Sequence, residues 1–259
     1  MLVAGIDIGA ATAKVVLLNE NGICSYAVLP TGFDVVRIGH EIMNVSLKKI
    51  GLQMKDIEYV VSTGYARNMV PFKKKAMTEI LCHAKGANYL LPEVRTIIDI
   101  GGQDSKVIKI DERGAVLDFV MNDKCAAGTG RFFEVMAGVL QLDIGEMGPI
   151  SIKSKNPSRI SNTCTVFAET EVVSLRAEGK NRQDIVAGIH NAAASRIVTM
   201  GKSIGFMSEV MLSGGVAKNI GIKKFLEDKI EMNIVTPEEP QIVGALGAAL
   251  FAREELSKN

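Results

Sequence analysis

The sequence contains no apolar run long enough to make a signal or membrane-spanning helix, and its start, MLVAGIDIG, has no charged leader segment. The expectation is a cytoplasmic protein that does not meet a membrane. An excess of charge of one sign is missing too: 30 Lys and Arg stand against 29 Asp and Glu, for a net charge of +1. That balance argues against a dedicated nucleic-acid or membrane-surface binder. Cysteine is scarce, with only Cys24, Cys82, Cys125 and Cys164. In a reducing compartment such residues are thiols or metal ligands rather than disulfides. There is no C-x-x-C pair, the three histidines (His40, His83, His190) suggest no triad, and no serine sits in a nucleophile-elbow sequence. Low-complexity segments and Pro/Gly/Ser-rich linkers are absent as well.

What is present is the composition of an ordinary globular protein, 47% apolar and 23% charged, in 259 residues that suffice for two lobes. An internal repeat organises them. Residues 7–22, DIGAATAKVVLLNENG, align without a gap on residues 99–114, DIGGQDSKVIKIDERG, sharing Asp, Ile, Gly, Lys, Val, Glu and Gly. Each copy follows an apolar run and reads as strand, Gly-containing turn, strand and hairpin turn. Third strands follow at Ile23–Leu29 and Ala115–Met121. Chance similarity between strand–turn–strand units is the alternative; duplication predicts two lobes that face each other.

The remaining periodicity is α/β. Helices are expected over Val35–Ile50, Thr78–Leu90, Arg182–Ile204, about Asn219–Ile230, and Ile242–Ser257, with strands at Tyr59–Thr63 and Glu209–Ser213. The last helix carries two interior glycines in GALGAALFA, at a cost of about 1 kcal/mol each relative to alanine, which points to close backbone packing. The expected lobes are residues 1–94 and 95–241, with helix 242–259 returning to the first.

A Gly-rich turn between strands leaves backbone N–H groups to cradle phosphate oxygens, and an acidic residue before it holds Mg²⁺ through water. Two such turns would grip a polyphosphate from both sides. The first offers Gly9, Ala10, Ala11, Thr12, Ala13 and Lys14 behind Asp7; the second offers Gly101 and Gly102 behind Asp99. Neither has P-loop or dinucleotide-fingerprint spacing. Gln103 or Asp104 is placed to orient or deprotonate an attacking water, or serves only as a turn-forming polar pair. Gly214 and Gly215, in LSGGVAKN, would let a base and ribose approach the backbone, with Gln241 beside them; a strand-to-helix turn needs glycine in any case.

Cys125, in NDKCAAGTGRFFEVM, and Cys164, in SNTCTVFAETEV, each follow a polar stretch and precede a helical pattern. A helix N-terminus favours an anion, whether thiolate, phosphate or metal–sulfur cluster, while a buried structural thiol is the commoner fate of cysteine. Cys24 and Cys82 read as core thiols. Lys124 and Arg131 form either a docking rim for an acidic partner or solvated surface charge.

DIGAATAK, DIGGQDSK and LSGGVAKN, in that order, resemble the phosphate and adenosine segments of the fold shared by actin, sugar kinases and heat-shock chaperones. The two cysteine motifs and TGYARN are similar to one branch of it, the ATP-dependent activators of 2-hydroxyacyl-CoA dehydratases, related to the ATPase subunits of benzoyl-CoA reductases. The resemblance runs from Gly5 to Ala252. It implies an actin-like, two-lobed α/β ATPase with ATP and Mg²⁺ in the cleft. It also implies one [4Fe–4S] cluster bridging a homodimer through Cys125 and Cys164, a dehydratase partner, and a ferredoxin or flavodoxin as electron donor. Rival readings are the same ATP-driven reductase serving benzoyl-CoA reductase or a double-cubane cluster protein, a phosphotransferase of the sugar-kinase type, and a non-enzymatic, actin-like filament former.

Overall fold

A computed structural model describes residues 1–258. In chain order the strands are β1 (Val3–Ile8), β2 (Thr12–Asn19), β3 (Gly22–Pro30), β4 (Tyr59–Thr63), β5 (Lys75–Ala76), β6 (Thr96–Ile100), β7 (Ser105–Ile110), β8 (Val116–Asn122), β9 (Val210–Ser213) and β10 (Ile234–Val235). The helices are α1 (Val35–Lys49), α2 (Glu79–Leu90), α3 (Gly130–Leu140), α4 (Ile144–Ser151), α5 (Thr165–Ala177), α6 (Arg182–Gly201), α7 (Ile220–Ile230) and α8 (Val243–Leu256). None among the described residues is long and apolar enough to cross a membrane.

Two compact units form. Residues 1–94, 110–117 and 237–259 make the first, and residues 95–109 and 118–236 the second. Segments 110–117 and 237–241 thus group with the first unit, where the sequence boundaries put them with the second.

Unit 1 is built on a sheet of order β3-β2-β1-β4-β5, with β1 antiparallel to β2 and parallel to β4. All of β1 is buried, as a central strand covered on both faces requires. Ile6 and Ile8 join Ile38, Ile42, Met43 and Leu47 of α1 on one side. Val3 joins Ala245, Ala248 and Ala249 of α8 on the other. The Asp34 carboxylate caps α1 by accepting from the N–H groups of Val36 and Arg37. The glycines of α8 have the packing purpose their cost suggested: a Cβ on Gly247 would strike the Cys82 carbonyl of α2.

Unit 2 has a sheet of order β10-β9-β6-β7-β8, with β6 antiparallel to β7 and parallel to β9. Read from its meander edge, the order β8-β7-β6-β9-β10 repeats that of unit 1. The sequence repeat is therefore a repeat of topology, and chance similarity is not needed to explain it. Helix α6 is buried over most of its length, and its Ile185, Ile189 and Ile197 share one core cluster with Phe132 and Phe133 of α3. Helix α4 was not expected from the pattern, because Gly145, Gly148 and Pro149 interrupt it.

Candidate active site

In unit 1 the β1–β2 register sets Asp7 opposite Lys14, with Lys14 Nζ 3.3 Å from Asp7 Oδ2. Between them the chain turns on a Gly9 N–H to Thr12 carbonyl bond of 3.1 Å. Thr31 Oγ1 donates to the Gly9 carbonyl at 2.7 Å, and the Thr31 N–H to that of Ala11 at 3.0 Å. Because the C=O and N–H of a trans peptide point in opposite directions, the Ala10 N–H faces away from Thr31. Ala10 and Ala11 are exposed and Ala13 is buried.

Three residues around Asp7 escaped the sequence reading. Gly64, at φ +93°, occupies a left-handed conformation, and a Cβ there would strike Asp7 Oδ1. A Cβ on Gly244 of α8 would lie 3.3 Å from Asp7 Oδ2 and 2.9 Å from His83 Cε1. His83 is buried beside this carboxylate, its Nδ1 3.0 Å from the Glu79 carbonyl. Gln241 also belongs to unit 1, on a 3-10 turn at Pro240–Ile242, with its N–H donating to Glu239 Oε1 at 3.2 Å.

In unit 2 the equivalent pair is Asp99 and Lys106. The turn repeats, with the Gly101 N–H donating to the Asp104 carbonyl at 2.9 Å. Lys106 is 2% exposed, and its Nζ lies 2.5 Å from Asp104 Oδ2 and 3.5 Å from Asp99 Oδ2. Ser213 Oγ donates to Asp99 Oδ1 at 2.8 Å. Gly214, at φ +87°, follows at once, and a Cβ there would strike the Ile100 carbonyl. Gly215 opens the next 3-10 turn. The Gly101–Gly102 turn and the Gly214–Gly215 segment therefore lie side by side. Gln103 is exposed and Asp104 half-buried. Lys106 and Ser213 were missed, although Lys106 is the identical Lys of the repeat.

The two cysteine segments meet in unit 2: Cys125 Sγ is 3.9 Å from the Thr163 carbonyl, next to Cys164. Asn122 Nδ2 shapes the Cys125 loop by donating to the carbonyls of Cys125 at 2.8 Å and Ala127 at 3.1 Å. Cys164 is the N-cap residue of α5. Cys125 differs from the expected placement at a helix mouth: α3 is capped by Thr129, four residues later. Its first N–H groups serve the Gly101–Gly102 turn instead. Gly130 N–H donates to the Gly101 carbonyl and Arg131 N–H to that of Gly102, each at 2.8 Å.

Both cysteines are half-buried. Cys24 is half-buried too, its Sγ donating to the Leu17 carbonyl at 3.3 Å, and burial raises its thiol. Cys82 is fully buried, which pushes its thiol up to about 12. No group of three or more His, Cys, Asp or Glu among the described residues could hold a metal ion. Val166 and Phe167 are each 64% exposed beside Cys164. Lys124 is exposed, and exposed Arg131 pairs with Glu134 at 3.0 Å.

Residues 4–252 match a protein family described as the BadF/BadG/BcrA/BcrD ATPase family. The 2-hydroxyisocaproyl-CoA dehydratase activator of Clostridioides difficile is 45% identical over 100% of this chain and 97% of its own length. The (R)-2-hydroxyglutaryl-CoA dehydratase activating ATPase of Acidaminococcus fermentans is 40% identical over 98% of each. A solved structure of the Clostridium difficile activator with bound ADPNP superposes with a TM-score of 0.94, at 45% identity, covering 100% of this chain and 96% of that one. A ROK family glucokinase from Streptomyces griseus, at 12% identity and a TM-score of 0.58 over 98% of this chain and 100% of that one, shares the fold alone, which is thus the actin-like ATPase fold.

Proposed function

The chain belongs to the BadF/BadG/BcrA/BcrD ATPase family, and from that membership we propose that it is an ATP-hydrolysing activator of a 2-hydroxyacyl-CoA dehydratase, onto which it drives a low-potential electron. The observation that carries this reading is the pair of backbone bonds from Gly130 and Arg131 to Gly101 and Gly102. A displacement of the phosphate turn reaches the Cys125 loop through peptide backbone, without passing through mobile side chains. The dehydratase class of partner is supported by the relatives named as activators of such enzymes.

The amide-bearing turns at Gly9–Lys14 and Gly101–Gly102 bind the ATP phosphates, and Asp7 and Asp99 position Mg²⁺ through its waters. Gly214, Gly215 and Gln241 receive the adenosine. Asp104 or Gln103 orients the attacking water. The two units described above are the lobes that nucleotide binding displaces, by its differential affinity for their arrangements.

The donor set fits half of a [4Fe–4S] cluster: Cys125 and Cys164 lie on segments that meet, and the described residues offer no third ligand. Four thiolates are the usual complement, so a second copy of the chain supplies the other pair, giving a homodimer with one cluster. When bound, the cluster is the one-electron carrier. Cys164, at the N-terminus of α5, holds its thiolate where the helix dipole favours negative charge. A cytoplasmic ferredoxin or flavodoxin is the fitting donor.

The test is purification without oxygen, followed by ATP-dependent reduction of a dehydratase. Iron, free phosphate and a reduced partner are the expected results. A phosphorylated acceptor in place of free phosphate would sink the reading in favour of a sugar-kinase-type phosphotransferase. Reduction of benzoyl-CoA reductase but of no dehydratase would keep the ATPase and change its partner.

A further inference from the structure

Lys106 is the most deeply buried charge among the turn residues of the repeat, and its setting differs from that of its counterpart. Lys14 is 14% exposed and faces Asp7 alone at 3.3 Å. Lys106, 2% exposed, faces both Asp99 and Asp104. The difference comes from one position of the repeat, where unit 1 has Thr12 and unit 2 has Asp104. A buried ammonium is tolerable only when paired, and two carboxylates close together are tolerable only with a cation between them. The three groups therefore depend on one another.

Within the trio the carboxylates are not equivalent. Asp99 is 4% exposed in its side chain, with one oxygen accepting from Ser213 and the other facing Lys106. Asp104 is 28% exposed and pairs with Lys106 at the shorter distance of 2.5 Å. Asp104 thus combines a fixed direction with access to solvent, and Gln103 is exposed at the tip of the turn.

We propose that Lys106 is a positioning residue for ATP hydrolysis, which aims the Asp104 carboxylate at the attacking water and so selects Asp104 over Gln103 for that role. The inference rests on the reading of these turns as the phosphate site. Orientation of the nucleophile acts on turnover and not on nucleotide affinity.

The test measures phosphate release and ADPNP affinity for the full-length, anaerobically purified protein and for Lys106→Gln, Asp104→Asn and the double variant. Each single change is expected to lower kcat about tenfold or more, with ADPNP affinity held within about threefold. The double variant should be no slower than Asp104→Asn, because Lys106 acts through Asp104. Additive losses, wild-type turnover in Lys106→Gln, or a fall in ADPNP affinity that parallels the fall in kcat would overturn the proposal. Should Lys106→Gln fail to fold, the double variant restores the net charge of the trio, and its kcat must equal that of Asp104→Asn. A wild-type chain that neither binds ADPNP nor releases phosphate would overturn the reading of the turns themselves.

Discussion

Asp7 and Asp99 show how far single residues can be read from a sequence. Both were legible because the repeat places each two residues before the glycine of its turn and seven before a lysine, and the strand registers Asp7–Lys14 and Asp99–Lys106 realise that spacing. Their neighbours were not legible. Ser213 reaches Asp99 across 114 positions of sequence, and His83 and Gly244 approach Asp7 from helices that no local pattern connects to it. If these carboxylates position Mg²⁺, Asp7→Asn and Asp99→Asn should each lower kcat for ATP hydrolysis by about a hundredfold or more. Iron content should survive in both, since neither residue contacts the cysteine segments. Wild-type phosphate release from both variants would remove the metal-positioning role.

Elements were legible where periodicity was long. Helices α1, α2, α6, α7 and α8 fall within a few residues of their expected ranges, and strand β4 on its own. Failures came where the signal was short or broken: β5 and β10 have two residues each, and α4 is interrupted by glycines and Pro149. The N-terminus of α3 starts later than the pattern suggested, because Thr129 and not Cys125 caps it and the Gly101–Gly102 turn takes its first amides. Glycine substitutions test the packing of these elements. Gly247→Ala drives a methyl group into the Cys82 carbonyl and should destabilise by about 1–3 kcal/mol. Gly138→Ala, at an exposed position of α3 with nothing within 4 Å, should stabilise by about 0.5–1 kcal/mol. Thermal melts that move both variants the same way would contradict this account. Gly130→Ala tests the backbone link between α3 and the Gly101–Gly102 turn: its Cβ would sit 3.1 Å from the Gly101 carbonyl and 3.2 Å from Gly102 Cα. In iron-free wild-type protein, ATP should alter the alkylation rate of Cys125, and in Gly130→Ala that response should shrink. A response of equal size would mean that the turn and the cysteine loop communicate by another route.

At the scale of the whole molecule, a single chain could not by itself complete the proposed cluster. Cys82 is fully buried with its thiol pushed up to about 12, and Cys24 gives its Sγ–H to a backbone carbonyl. Neither is a ready ligand, since a metal takes the thiolate. That leaves Cys125 and Cys164, two thiols for a cluster that takes four. Two copies joined at these cysteines would close the set, and Val166 and Phe167 beside Cys164 would give the joint apolar surface to bury. Anaerobic protein should accordingly be brown and hold about four irons per two chains. Cys125→Ser and Cys164→Ser should each lose the iron, because a hydroxyl is a harder and less acidic ligand than a thiol. Cys24→Ser and Cys82→Ser should keep it, with Cys82→Ser losing stability for placing a hydroxyl in an apolar core. Oligomeric state is a weaker readout than stoichiometry, since apolar contacts between copies would persist without metal. A full complement of iron in separated monomers, or unchanged iron in both the Cys125 and Cys164 variants, would rule out a shared cluster and return these cysteines to a structural role.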